Sequence, residues 1–184
     1  MKLYFVTTND KKKKELEACL SLPVEQLSID IQEIQGTKEE VALDKLQKAL
    51  KGNEDKIVII DDTSIEIKAM NGFPGPYGKD FIKIGFDVIE KIVEKIGRET
   101  VASTMIGIGY YKDGRPIYKL FEGCLDGFIV KTDYVDCFGF DGVFLPKGQT
   151  KVYGEMSLEE KNAISHRGLA CKKLKEYLLN NKLI

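Results

Sequence analysis

The chain has 184 residues, 43% hydrophobic and 31% charged, with a formal net charge of −1. That length suits one domain (1–184) with a substantial core, and the charge gives no overall field favouring nucleic acid or a membrane surface. Four scattered cysteines and a single histidine argue against zinc and fit a reducing, cytoplasmic setting, with neither a signal peptide nor a membrane span expected.

Leu3 to Val6 reads as a first strand, and Thr7, Thr8, Asn9 and Asp10 are residue types that cap a helix N-terminus. The helix that follows has Leu16, Cys19 and Leu20 as its apolar stripe. A strand feeding a helix N-terminus offers backbone N–H groups to an anion. Lys11 and Lys12 stand in the first turn, where the helix dipole disfavours cations, so they fit either a phosphate site or a solvated lysine face.

Leu27, Ile29 and Ile31 alternate as a second strand, with Glu33 just past its end. A helix is expected over about 38–51, with Val41, Leu43, Leu46 and Leu50 inward and Lys45 facing a cleft or solvent. Ile57-Val58-Ile59-Ile60 then reads as a strand buried on both faces, running into Asp61 and Asp62. Two adjacent carboxylates at a strand end are either a divalent-cation site, one of them free to deprotonate water, or an acidic surface turn. Ile65-Glu66-Ile67 looks like a separate short strand.

Residues 71–78 form a proline- and glycine-rich loop. One long amphipathic helix is expected over 79–96, with Phe81, Ile84, Val88, Ile92 and Ile96 inward. Strands follow at 101–111, 117–121 and 128–130, the first two joined by an Asp113-Gly114 hairpin turn. Phe138, Gly139, Phe140 and Asp141 could wall a planar base or be core aromatics beside a turn. Ser157 and Glu160 form a capping box, followed by Lys161, Ser165, His166 and Arg167. No phosphate-binding G-x-x-x-x-G-K-[ST] loop occurs, and Gly107-x-Gly109 lacks the third glycine of a dinucleotide fingerprint.

Taken in order, Thr7-Thr8-Asn9 with Lys11 and Lys12, Glu33 before Gln35-Gly36, Asp61-Asp62-Thr63, the 72–77 loop, 138–141 and 160–167 resemble the inosine triphosphate pyrophosphatase family. The resemblance implies an α/β fold with an elongated mixed sheet flanked by helices, and two lobes around a nucleotide-binding cleft. It also implies Mg²⁺-dependent hydrolysis of the nucleoside triphosphates ITP, dITP and XTP to monophosphate and pyrophosphate, by a homodimer. By the same resemblance Glu33, Asp61 and Asp62 are metal ligands and Asp62 is the catalytic proton acceptor. Thr7, Thr8, Asn9, Asp10, Lys11, Lys12, Lys45 and Lys79 are expected on phosphate and ribose, and Asp62 and Thr63 are also expected to touch the substrate. Phe138, Gly139, Phe140, Asp141, Lys161, His166 and Arg167 are expected around the base. The chain departs from the family pattern at Thr8 (usually glycine), Phe140 (often tryptophan) and Gly142 (usually proline). A hydrolase for other nucleotides and a non-catalytic nucleotide-binding module are the competing readings.

Overall fold

The computed structural model describes residues 2–132 and 139–184. Phe138 therefore lies outside the described residues. Strand β1 (Leu3–Val6) leads into helix α1 (Asp10–Leu20), then β2 (Glu25–Leu27), α2 (Lys38–Leu50) and the central β3 (Ile57–Ile67). The short β4 (Pro74–Gly75), α3 (Gly78–Phe81) and α4 (Phe86–Ile96) follow. A hairpin of β5 (Glu99–Lys112) and β6 (Arg115–Ile129), then β7 (Phe144–Pro146), α5 (Leu158–Ile164) and α6 (His166–Asn180) complete the order. Among the described residues one mixed sheet runs β2-β1-β3-β5-β6-β7, with β4 added on β3. β1 is parallel to both its neighbours, and the strands from β3 onward pair antiparallel.

Alternation along β3 decides what each face meets. Ile57 and Ile59 pack with Leu16 and Leu20 of α1 and Ala170, Leu174 and Leu178 of α6. Val58 and Ile60 pack instead with Ala42, Leu46 and Ala49 of α2. Further along, Ile67, Ile89, Val93, Ile129 and Val143 form a separate core, the second lobe.

Several elements differ from their sequence expectation. β3 does not stop at the two aspartates but runs through them to Ile67, paired with β5 from Val58 to Ile67. A continuous ladder satisfies the backbone of residues that a surface turn would have left to water. The helix expected over 79–96 is broken at Gly85, whose φ of 94° no helix accommodates. The break re-phases the stripe, so Ile89 and Val93 are buried while Ile84, Val88 and Ile96 are exposed. β2 ends at Leu27, and Ile29 and Ile31 pack on the α2 side without strand pairing. Leu43 is exposed, its inward place taken by Ala42. The two strands expected after the hairpin turn are the single strand β6.

Candidate active site

The polar side chains gather where β3 passes between α1, α2 and α6. Asp61, on the α1/α6 face, is buried and has both oxygens engaged: Lys12 Nζ donates to Oδ1 at 2.7 Å and Arg167 Nε to Oδ2 at 2.9 Å. Burial alone would raise its pKa, but Lys12 and Arg167 outweigh it and hold the carboxyl well below the usual range. Arg167 also donates from Nη2 to Thr63 Oγ1 at 3.0 Å and from Nη1 to Glu15. Glu15 in turn accepts from Lys161 Nζ at 2.8 Å, and Lys161 reaches Asp141 at 2.5 Å. Three carboxylates (Glu15, Asp61, Asp141) thus face three cations (Lys12, Lys161, Arg167) in one network.

Asp62 points to the other face, toward α2. Lys45 Nζ is 3.4 Å from its Oδ1 and 2.9 Å from Glu33 Oε1, so Glu33 and Asp62 meet at one ammonium. Asp62 Oδ2 is buried without a hydrogen-bond partner. Burial, helped by Glu33 and Asp61, raises the Asp62 pKa against the pull of Lys45 and Lys12. Such an orphaned acceptor costs about 1–3 kcal/mol unless a water, an ion or a ligand reaches it.

The loop before α1 is organised by Asn9. Its side chain caps the helix, accepting from the N–H groups of Lys11 (2.9 Å) and Lys12 (3.2 Å), while Thr7 Oγ1 accepts from Asn9 N–H at 3.0 Å. Two N–H groups expected to be open to an anion are therefore occupied, because an Asn cap competes for them. Thr8, Asp10 and Lys11 are exposed. Lys79 is exposed on α3, which is seated by Gly78 between Ile65 and Phe140. Gly139 and Phe140 precede Asp141 in a turn, and the Phe140 ring meets Phe86 edge-on at 6.0 Å.

Ser165 caps α6, accepting from Gly168 N–H, so His166 and Arg167 are its first two residues. His166 is buried and stacks on Tyr153, ring centroids 5.6 Å apart. The helix sits hard against β6: a Cβ on Gly123 would lie 2.0 Å from His166 O and 2.5 Å from Ala170 N.

A model of the Ham1 family matches residues 3–177. The chain belongs to the Ham1 family. It is 40% identical to the inosine triphosphate pyrophosphatase of Encephalitozoon cuniculi, covering 100% of this chain and 96% of that one. It is 36% identical to the dITP/XTP pyrophosphatase of Pyrococcus horikoshii, covering 98% of each. The fold superposes on the Staphylococcus aureus Ham1 protein with a TM-score of 0.81 at 27% identity, covering 98% of this chain and 100% of the other.

Within this Ham1 fold the expected acids separate. Asp61 and Asp62, as neighbouring strand residues, point to opposite faces, and both Asp61 oxygens are engaged by Lys12 and Arg167. Among the described residues no group of three or more His, Cys, Asp or Glu side chains is arranged to hold a metal. A magnesium ion needs less: it keeps several waters and takes one or two carboxylates beside substrate phosphates. Glu33 and Asp62, with the unpartnered Oδ2, fit that donor set. Glu15 was absent from the sequence-derived residues, although it bridges Lys161 and Arg167. Its signal was a carboxylate inside the stripe Leu16, Cys19, Leu20, where a charge needs partners.

Proposed function

We propose that this chain hydrolyses the purine nucleoside triphosphates ITP, dITP and XTP to the monophosphate and pyrophosphate in the presence of Mg²⁺. The observation that carries the reading is the buried, unpartnered Oδ2 of Asp62 beside Lys45 and Glu33, in a chain whose full-length relatives bear pyrophosphatase names. Asp62 accepts the proton of the attacking water, a role that suits a carboxyl whose pKa is raised by burial. Lys12 and Lys45 lie on either side of β3 and neutralise phosphate charge, joined by Lys11 and Lys79. The loop from Thr7 to Asp10 and Thr63 position the triphosphate and ribose. Held by Glu33 and Asp62, a magnesium ion supplies charge neutralisation and Lewis acidity.

The base is taken by Gly139, Phe140, Asp141, Lys161, His166 and Arg167, together with Phe138. Arg167 has five N–H donors and spends three on Asp61, Glu15 and Thr63, leaving one on each terminal nitrogen for a keto oxygen. Hypoxanthine and xanthine present that oxygen at C6, whereas adenine presents an amino group. We place the enzyme in the cytoplasm as a homodimer. No helix of the described residues is long and apolar enough to cross a membrane.

A pyrophosphate-release assay across ITP, XTP, dUTP, GTP and ATP, with magnesium or with chelator, tests the reading. The expected result is rapid release from ITP and XTP, abolished by chelation. Tight ITP binding without release from any nucleotide overturns it in favour of a binding module.

A further inference from the structure

Helices α1 and α6 run alongside one another, and their contacts repeat at one-turn intervals. Glu15 meets Arg167. Two turns further along, Lys175 Nζ of α6 lies 3.4 Å from Ser21 Oγ beside the end of α1, so Cys19 of α1 and Cys171 of α6 fall in register between these two contacts and pack in one core cluster. Cys171 is fully buried in the core beneath α1, and Cys19 packs on that core from its edge. Cys19 also lines a surface cavity of about 450 Å³ between α1, α5 and α6, with Leu158, Asn162, Gly168 and Lys172 among its walls. Cys19 therefore borders a space that a small solute can enter, and Cys171 lies in the core that Cys19 packs on.

We infer that Cys19 and Cys171 are an oxidisable dithiol, converted by a peroxide-class oxidant to a disulfide that fixes α1 to α6 one turn from the Glu15–Arg167 pair. The Cys19 sulfur attacks a peroxide oxygen, the O–O bond breaks, and Cys19 sulfenic acid and one water result. The Cys171 sulfur then attacks the Cys19 sulfur. An S–S bond forms, and the sulfenic hydroxyl leaves with the Cys171 proton as a second water. Two thiols lose two electrons and two protons, and one peroxide is reduced to two waters.

Chemistry favours this pair over the more exposed Cys124. The neighbouring Cys171 thiol, with Arg167 and Lys172 nearby, lowers the Cys19 pKa against burial and Glu15. Burial and Glu122 push the Cys124 thiol the other way, up to about 11, so little of it is thiolate. The consequence for the site follows from what the helices carry. Lys12 and Glu15 stand on α1 and Arg167 on α6, so a covalent tie holds Arg167 in its ligand-free contacts and slows turnover.

The effect on turnover rests on the function proposed above; the disulfide itself does not. Folded protein is treated with hydrogen peroxide, its remaining thiols are alkylated, and intact mass and peptide maps are read. The expected result is loss of two hydrogens with the Cys19 and Cys171 peptides linked, reversal by dithiothreitol, and no such link in Cys19→Ser. Oxygen added to Cys19 with Cys171 still alkylatable, or links formed through Cys124 or Cys137, overturns the dithiol. Cys171→Ala, if it folds, halts at the Cys19 sulfenic acid, trapped by a dimedone-type probe; Cys19→Ser decides the matter if it does not. Pyrophosphate release from ITP is expected to fall about tenfold in the linked form and to recover on reduction. Unchanged release in a fully linked sample overturns the coupling. Absence of release from the reduced protein counts against the proposed function and leaves the mass result to judge the dithiol.

Discussion

Asp61 and Asp62 are adjacent in sequence, yet their carboxylates lie on opposite faces of β3, Asp61 closed between Lys12 and Arg167 and Asp62 beside Lys45 with one oxygen unpartnered. Their amide variants should therefore fail differently. Asp62→Asn is expected to keep or gain stability, since a buried charge is removed, and to lose roughly 10²–10⁴ in kcat. Asp61→Asn is expected to lose about 3 kcal/mol of stability, because the buried Arg167 and the half-buried Lys12 are left with an amide between them. Urea midpoints and ITP turnover on both proteins separate the roles; the same pattern in both would refute the two-faced arrangement.

Glu15 balances the cluster from inside α1. Burial alone would raise its pKa, but Arg167 and Lys161 outweigh that and lower it, so Glu15 is ionised. Glu15→Gln leaves three cations facing two carboxylates. The expected outcome is a stability loss of about 3 kcal/mol with a raised KM for ITP, measured by urea unfolding and initial rates. An unchanged midpoint would mean that the cluster tolerates an uncompensated charge.

His166 is the only histidine in the chain, so its ring can be followed without assignment. Burial, then Arg167 and Lys161, hold its pKa well below 6.5. The unfolded chain thus binds more protons below about pH 6.5, and stability falls as pH drops there, by up to about 1.4 kcal/mol per unit. The imidazole resonances are expected to stay at neutral-ring positions down to pH 5.5 while the urea midpoint declines. A folded-state titration centred near 6.5 would show a solvated ring instead.

Arg167→Lys keeps the charge and removes the planar fork. If the fork reads a keto oxygen, the ratio of ITP to ATP kcat/KM should fall about 10–100-fold, the cost of a donor placed for the wrong base. Taking the ratio cancels any general loss of stability. Equal losses on both nucleotides would assign Arg167 to positioning alone.

The sequence displayed much of this molecule because local signals were strong. The Ile57–Ile60 run, the Asp113-Gly114 turn with both φ values positive, and the capping box at Ser157 each specify their element alone. The Gly85 break was hidden because the apolar spacing before and after it mimics one continuous stripe. The aspartates were misplaced for a different reason. Nothing in Asp61-Asp62 tells a strand end from a strand middle; the β5 ladder decides it, and β5 is distant in sequence. Glu15 was legible in principle as a charge on an apolar stripe, but its partners lie at the other end of the chain.

Gly123 lies outside the charged network, on a strand that contributes none of the acids, and it is what lets α6 rest where it does. A methyl group there would lever the helix outward and carry the guanidinium off its perch. Damage to catalysis could thus begin at a position that touches no nucleotide, through nothing more specific than lost clearance.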